Sequence, residues 1–426
     1  MTPLYYAVIA VCGLLPLYLV RFTIPLGPIS LPSTALEVLL LAVFAWWLWA
    51  RGIRSREAWA ALEPYAMPIT LFVTGATVSM FVSPSLTASL GLWRAYIVEP
   101  LLFYVVATDV LSRAPRGMRA WPALAALGVT LWIVGVYAIE QKITGWGIPN
   151  PVWQAEETRR VTAFYGFPNG IALFAAPVTV LMAAWCAAAF DETVSLRGRM
   201  QEALNRTHRD WHGWFAFRAA ILGTLAILFA VSEGGAIGTL AGLGLFGLMH
   251  PRLRAWTLGA VIAVCVAVIT LPPLLRYVTS IATLADDSGT VRRVVWGESA
   301  AMLRDHAVFG AGLAGYPGRL AAYHTSDWVE IFQYPHTIVM NFWSETGLIG
   351  LAGFIWICVV FFRRGTSAMR DGGHGWLAAA VMAAMAATLV HGLVDVPFFK
   401  NDLAVLFWLL VALVEVARGE RGAAEA

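Results

Sequence analysis

The sequence predicts an all-α integral membrane protein of about twelve transmembrane helices, with a helical, water-facing segment between spans 9 and 10. Three observations lead there. The 426 residues are 59% hydrophobic and 13% charged, with a mean hydropathy of +0.70, whereas soluble domains are about 25% charged. The apolar residues fall in runs near the roughly 17–25 needed to cross a bilayer at about 1.5 Å rise per residue. The basic residues gather behind every second run, as loops on a single side of a membrane do.

Taken in order, the apolar runs place spans at 3–20, 31–49, 66–82, 92–111, 121–139, 167–190, 215–231, 235–249, 254–272, 336–362, 376–394 and 403–417. The eighth and twelfth are short. The first begins at Pro3 without a basic region before it, so it is expected to be a permanent helix rather than a cleaved signal. Arginine then sets the orientation. Arg51, Arg54 and Arg56 follow span 2, and Arg113, Arg116 and Arg119 follow span 4. Arg197, Arg199, Arg206 and Arg209 follow span 6, and Arg252 and Arg254 follow span 8. Arg363, Arg364 and Arg370 follow span 10, and Arg418 and Arg421 follow span 12. The short loops opposite hold Arg21, Lys142, Arg159, Arg160 and Lys400. This asymmetry puts both termini in the cytoplasm. The chain divides into 1–272 (spans 1–9, with an outward loop at 140–166), an outward segment at 273–335, and 336–426 (spans 10–12 and a cytoplasmic C-terminus).

Several function classes drop away. The net charge of +3 says little, since in a membrane protein the placement of charge outweighs its sum. Nineteen Trp and twelve Tyr suit interfacial belts. Cys12, Cys186, Cys265 and Cys358 all lie in apolar runs, with no CxxC or His/Cys cluster for zinc. No Walker A loop, dinucleotide fingerprint, internal repeat or Asp-x-Asp motif is present, and no metal, cofactor or nucleic acid is expected. Asn205-Arg206-Thr207 matches a glycosylation sequon in a loop read as cytoplasmic, and is discounted.

The outward charges are mostly arginines, and charge beside a span is costly enough to be a functional suspect. Arg94 lies near the outer end of span 4, with Glu99 five residues deeper; Arg159 and Arg160 precede span 6. Arg292 and Arg293 open TVRRVVWGESAAMLRDHAVFG (290–310), read as an amphipathic helix with Thr290 as N-cap and Gly310 as its stop. Guanidinium groups bind phosphate through paired hydrogen bonds, so these five are candidate ligands for a strongly anionic group at the outer membrane surface. The plainer readings are an Arg94–Glu99 pair, pairing of Arg159 and Arg160 with Glu156 and Glu157, and a wet helix face for Arg292 and Arg293. His336 follows Pro335 at the start of span 10 and is the candidate general base, since imidazole titrates near neutrality. Glu345, about half a turn round that helix, is read as a structural carboxylate, and Asp395 and Lys400 as capping the turn between spans 11 and 12. His306 and His324 show no ligand pattern.

These residues carry a resemblance. Arg-Arg-x5-Gly-x-Pro-Asn (159–169), RRVVWGESAAMLRDHAVFGAGLAGY (292–316) and PHTIVMNFWSETGLIGLAG (335–353) together resemble the O-antigen ligase and polymerase superfamily over roughly residues 90–410. Asn169 after Pro168, the phrase Phe309-Gly310 with Gly312, and the His336–Gly350 run are the most specific parts. Thr337 departs from the family's frequent Asn. Ser232-Glu233-Gly234 departs from its Ser-Arg-Gly, which removes an arginine expected near the site. The resemblance implies a GT-C-like membrane glycosyltransferase in the bacterial inner membrane. It would take glycan from undecaprenyl pyrophosphate and pass it, on the periplasmic side, to lipid A–core oligosaccharide. A polymerase would pass it to another lipid-linked repeat, and a related oligosaccharyltransferase to protein. His336 would be the base, Arg94, Arg159, Arg160, Arg292 and Arg293 the diphosphate ligands, and the lipid tails would lie among membrane lipids between spans. A transporter is the alternative from a different class, but the charges sit at span ends rather than at mid-bilayer on broken helices.

Overall fold

A computed structural model describes residues 2–26, 29–52, 59–193, 202–370 and 375–419. Arg54, Arg56, Arg197, Arg199 and Arg421 lie outside it, as do the side chains of Arg116, Asn205, Arg206, Thr207 and Arg209. Each of the twelve apolar segments contains a helix. Among the described residues six helices are long and apolar enough to cross a membrane: Ala60–Val82, Leu86–Ser112, Trp121–Thr144, Pro168–Phe190, Trp211–Phe229 and Ile338–Arg370. A seventh crossing results if the bent pair Arg254–Thr270 and Pro272–Ala282 counts as one. The protein is thus a mostly helical, multi-pass membrane protein.

The N-terminal region departs from an all-helical reading. Helix α1 (Pro3–Gly13) ends short of the expected span and gives way to a 3₁₀ turn at Leu15–Leu19, because Pro16 cannot supply the next helical N–H. An antiparallel hairpin follows, β1 (Arg21–Leu26) with β2 (Ile29–Thr34), in register Arg21 to Thr34. Helix α2 (Ala35–Arg51) therefore starts later than the apolar run suggests. A capping box fixes its start: Thr34 Oγ1 accepts the Glu37 N–H at 3.2 Å and Glu37 Oε2 accepts the Thr34 N–H at 2.9 Å.

Helix α3 (Ala66–Val82) continues a 3₁₀ turn at Ala60–Tyr65. Helix α4 (Leu86–Ser112) contains a π-turn at Trp93–Val98. Helix α5 (Trp121–Thr144) stops at Gly145, whose φ of 74° suits glycine. Then come α6 (Pro168–Thr193), α7 (Glu202–Phe229), α8 (Glu233–Met249) and α9 (Arg254–Thr270). At Leu271 the chain turns by 97° into α10 (Pro272–Ala282), because Pro272 and Pro273 cannot continue the preceding ladder. Helix α11 covers Asp287–Asp305 rather than 290–310. Asp286, not Thr290, is its N-cap, accepting the Gly289 N–H at 3.1 Å, and Gly310 lies beyond its end. The last helices are α12 (Ile338–Arg370), α13 (Gly375–His391) and α14 (Asn401–Gly419).

Helix α14 is the central post: every residue from 403 to 414 is at most 3% exposed. Alanine-rich α13 packs beside it and α4 lies along it, while α6, also rich in alanine, packs against α13 and α7. Helix α9 has no buried residue and presents Trp256 and Ile269 outward, as a lipid-facing helix would. Helix α12 is kinked at Gly347, where φ is 67° and ψ 180°. The segment 307–314 threads into that kink: Ala311 N–H donates to Ser344 O at 2.7 Å, Leu348 N–H to Val308 O at 3.0 Å, and Ala314 N–H to Glu345 Oε2 at 2.6 Å. Glu345 is buried as expected, but this partner is backbone.

Gly310 is required by this crossing. A Cβ there would lie 2.3 Å from Trp343 O, at a φ of 67° that other residues adopt only with strain. Gly310→Ala is expected to lower stability by about 1–3 kcal/mol, while Gly318→Ala, with open space around it, should stay within about 0.5 kcal/mol. Thermal unfolding in detergent checks this; equal melting temperatures would refute it.

Candidate active site

The site forms where the start of α12 meets the end of α13 and the loop that leads on to α14. His336 lies two residues before α12, on left-handed backbone at φ 52°, rather than in the first helical turn. Its strain is held by neighbours on both sides. The Ile338 N–H donates to Gly392 O at 2.7 Å, joining the start of α12 to the end of α13. The Trp296 indole N–H of α11 donates to Pro335 O at 2.8 Å. The rings of Phe332 and Tyr334 stand edge-on to the imidazole at 4.8 and 4.9 Å.

Across from it is Asp395, which sequence reasoning took for a turn residue. Its Oδ1 is 3.8 Å from His336 Nδ1, within ion-pair range, and accepts the Val396 N–H at 2.8 Å. The carboxylate side chain is 2% exposed and the imidazole 20%. Burial alone would push the Asp395 carboxyl up, but the His336 and His391 imidazoles hold it below the usual range. His391, the last residue of α13, is buried against Gly234 of α8, where an added Cβ would meet the ring at 2.8 Å. The parity of the loops could have revealed Asp395: it lies in the loop after span 11, expected on the same side as His336.

The five arginines do not act as one group. Arg292 lies one turn before Trp296 on the same face of α11, and Trp296 is the residue that holds Pro335 beside His336. Arg293 points elsewhere, exposed, with Nη2 donating to Thr290 Oγ1 at 3.2 Å. Arg160 closes α7: its Nε donates to Ala230 O at 2.9 Å, and its Nη2 to Val231 O at 3.1 Å and Asn169 Oδ1 at 3.4 Å. Burial pushes its guanidinium down from the usual value, while the nearby Glu233 carboxylate opposes this. Glu233, where the resemblance led one to expect arginine, accepts the Tyr277 hydroxyl of α10 at 2.7 Å. Lys400 adds a cation here, its Nζ 3.7 Å above the Phe167 ring; burial pushes it down to about 8.

Arg159 and Arg94 are engaged in the scaffold. Arg159 donates to Lys142 O, Ile143 O and Gln154 O at 3.0–3.1 Å, closing the C-terminus of α5 rather than pairing with Glu156 or Glu157. Arg94 donates to Glu37 Oε2 at 2.7 Å and its Nε lies 3.3 Å from Glu99 Oε1. In a regular α-helix, residues five apart diverge by about 140°; the π-turn brings Arg94 and Glu99 onto one face. Asn401 completes the cluster, donating to Glu37 Oε1 at 2.7 Å.

His306 meets Arg319 at 3.2 Å and His324 meets Glu298 at 3.0 Å, both bracing the segment between α11 and α12. Among the described residues no group of three or more His, Cys, Asp or Glu is arranged to hold a metal ion.

This division has a measurable consequence. Arg94→Gln would leave the buried Glu37 and Glu99 side chains without their cation, which is expected to cost about 3–5 kcal/mol of stability. Arg292→Gln should fold as the unaltered protein does and lose only activity. Thermal unfolding of both variants checks this, and equal melting temperatures would contradict it.

No curated protein matches the chain. A family model does, over residues 219–355, from the second half of α7 through His336 to just past the kink of α12. That model is the one described as O-Antigen ligase, and it is this family that the matched segment, about a third of the chain, is similar to.

Proposed function

We propose that the protein is an O-antigen ligase of the bacterial inner membrane. It would transfer O-antigen polysaccharide from undecaprenyl pyrophosphate to lipid A–core oligosaccharide on the periplasmic side, with both termini cytoplasmic. The observation that carries this reading is the His336–Asp395 pair at 3.8 Å, with Arg292 on the helix that braces Pro335, on the rim of a chain whose segment 219–355 is similar to the family. The arginine distribution between loops supports the orientation.

The residues supply each role the transfer needs. Asp395 faces Nδ1, so it favours the tautomer in which Nδ1 carries the proton and Nε2 is free to accept one. Nε2 takes the proton of the acceptor hydroxyl as its oxygen attacks the anomeric carbon. The carbon–oxygen bond to the diphosphate breaks, and undecaprenyl pyrophosphate leaves with the electron pair. Attack opposite the leaving group inverts the anomeric centre. Arg292 is the first candidate to stabilise the departing charge; Arg160 and Lys400 stand at the same rim. Arg293 is available from the exposed face of α11. Arg94 and Arg159 would act through the scaffold, since carboxylates and backbone carbonyls already engage them. Removing one such charge-stabilising donor commonly costs about 10²–10³ in rate, and removing a general base about 10²–10⁴. The reaction as written needs no metal.

A polymerase of the same superfamily would use the same groups, so the test must separate products. In a strain lacking the gene, a ligase role is expected to leave full-length O-antigen on undecaprenyl pyrophosphate; attachment of single repeats to core would indicate a polymerase. With purified protein and defined donor and acceptor, His336→Ala should reduce transfer by at least about 10² without changing the melting temperature. Transfer at the normal rate would end the proposed role of the imidazole.

A further inference from the structure

Helices α8 and α9 meet at one end and part along the rest of their length. Gly247 of α8 packs on Thr257 of α9, where an added Cβ would collide with the Thr257 hydroxyl. At the other end α9 does not return to α8. The chain turns by 97° into α10, and the Tyr277 hydroxyl donates to Oε1 of Glu233, the first residue of α8, at 2.7 Å. Glu233, Ile237, Leu240, Gly244 and Gly247 follow at steps of three or four and share one face of α8. That face touches a neighbour at both ends, so continuous packing would bury its middle. Instead Ile237 is 44% and Leu240 69% exposed, and a Cβ on Gly244 would meet no atom within 4 Å. The facing side of α9 matches: Val261 and Val264 share the Thr257 face and are 47% and 61% exposed.

The three helices thus frame a slot that narrows to a point at Gly247 and is barred at its other end by Tyr277. From Glu233 to Gly247 it runs about 21 Å at about 1.5 Å rise per residue. No side chain is charged between Gly234 and Met249 of α8 or between Ala255 and Thr270 of α9, so the walls suit a hydrocarbon chain. The barred end lies at the candidate active site. Gly234, next to Glu233, packs against His391, and Arg160 holds Ala230 O and Val231 O just before α8 begins. An apolar slot that ends beside a guanidinium group matches a lipid whose single chain leaves directly from a diphosphate. The paired chains of a phospholipid suit a tapering slot less well.

We propose that this slot holds the polyprenyl chain of the lipid-linked donor, with the diphosphate at Arg160. The inference rests on the transfer reaction proposed above and adds where the donor's chain lies. The chain enters sideways from the bilayer between α8 and α9, beneath the Tyr277–Glu233 bond. The Glu233 carboxylate repels the diphosphate and keeps it on the Arg160 side of that bond, since like charges brought together are costly.

Native mass spectrometry of the full chain in detergent, titrated with undecaprenyl pyrophosphate or geranyl pyrophosphate, tests the slot. Gly244 lies about 17 Å from Glu233 along α8, deeper than a geranyl chain reaches. Gly244→Phe should therefore weaken undecaprenyl pyrophosphate at least about fivefold, or about 1 kcal/mol, and leave geranyl pyrophosphate unchanged. Val261→Trp, from the facing wall, should do the same, and it decides if the first variant does not fold. Gly259→Phe, on the opposite face of α9 with open space around it, should change neither. Full-strength binding of undecaprenyl pyrophosphate in the slot variants would overturn the proposal, as would an equal loss in Gly259→Phe or an equal loss of geranyl pyrophosphate. Phosphatidylglycerol competing as strongly as undecaprenyl pyrophosphate would overturn the polyprenyl assignment. The expected binding pattern in a protein that transfers no glycan would uphold the slot and refute the ligase reading.

Discussion

The rim depends on how the loop between α13 and α14 is held. Phe398 is 1% exposed and packs among Phe72, Phe342 and Phe407, with ring centroids 5.0–6.1 Å apart. That aromatic anchor, three residues from Asp395, sets a charged carboxylate against His336 in a place where burial would otherwise favour its neutral form. The same loop accepts the Ile338 N–H through Gly392, so α12, α13 and α14 meet at one point. A left-handed residue at His336 costs of order 1–3 kcal/mol, and it persists because Gly392, Trp296 and two aromatic rings fix its surroundings.

The basic residues divide by what already holds them. Arg94, between two carboxylates, and Arg159, on three carbonyls, complete the fold at the rim. Arg160 does both, closing α7 while it reaches Asn169 across the site. Arg292 has a position rather than a saturating set of partners, and this makes it the strongest of the five for the proposed diphosphate role. Glu233 changes the local balance: a carboxylate tied to Tyr277 stands beside Arg160, and Lys400 supplies charge from the other side over Phe167.

Hydropathy located a helix in every expected span, because burial in lipid imposes a length and a composition that local sequence must satisfy. It overshot at the N-terminus, where Pro16 and the β1–β2 pairing interrupt apolar sequence that looks continuous. The start of α11 was misread by a few residues, since Asp286 and Thr290 are both plausible caps and only the Gly289 hydrogen bond selects Asp286. The places of His336 just before α12 and of Arg292 on α11 were legible from motif and position, while their roles belong to the proposed reading. The role of Arg159 was not, as the carbonyls it closes belong to a helix fifteen or more residues away in the chain. The Arg94–Glu99 contact needed the π-turn, which no residue pattern announces.

On the proposed reading His336 and Asp395 work as one unit, and the most direct test is a double-substitution cycle. Transfer would be timed for His336→Ala, Asp395→Asn and the double variant with a defined lipid-linked donor. Groups that act together give losses that do not add, so the double variant should be no slower than His336→Ala alone. Losses that multiply would mean the carboxylate and the imidazole act separately, and would contradict the pairing on which the proposed chemistry rests.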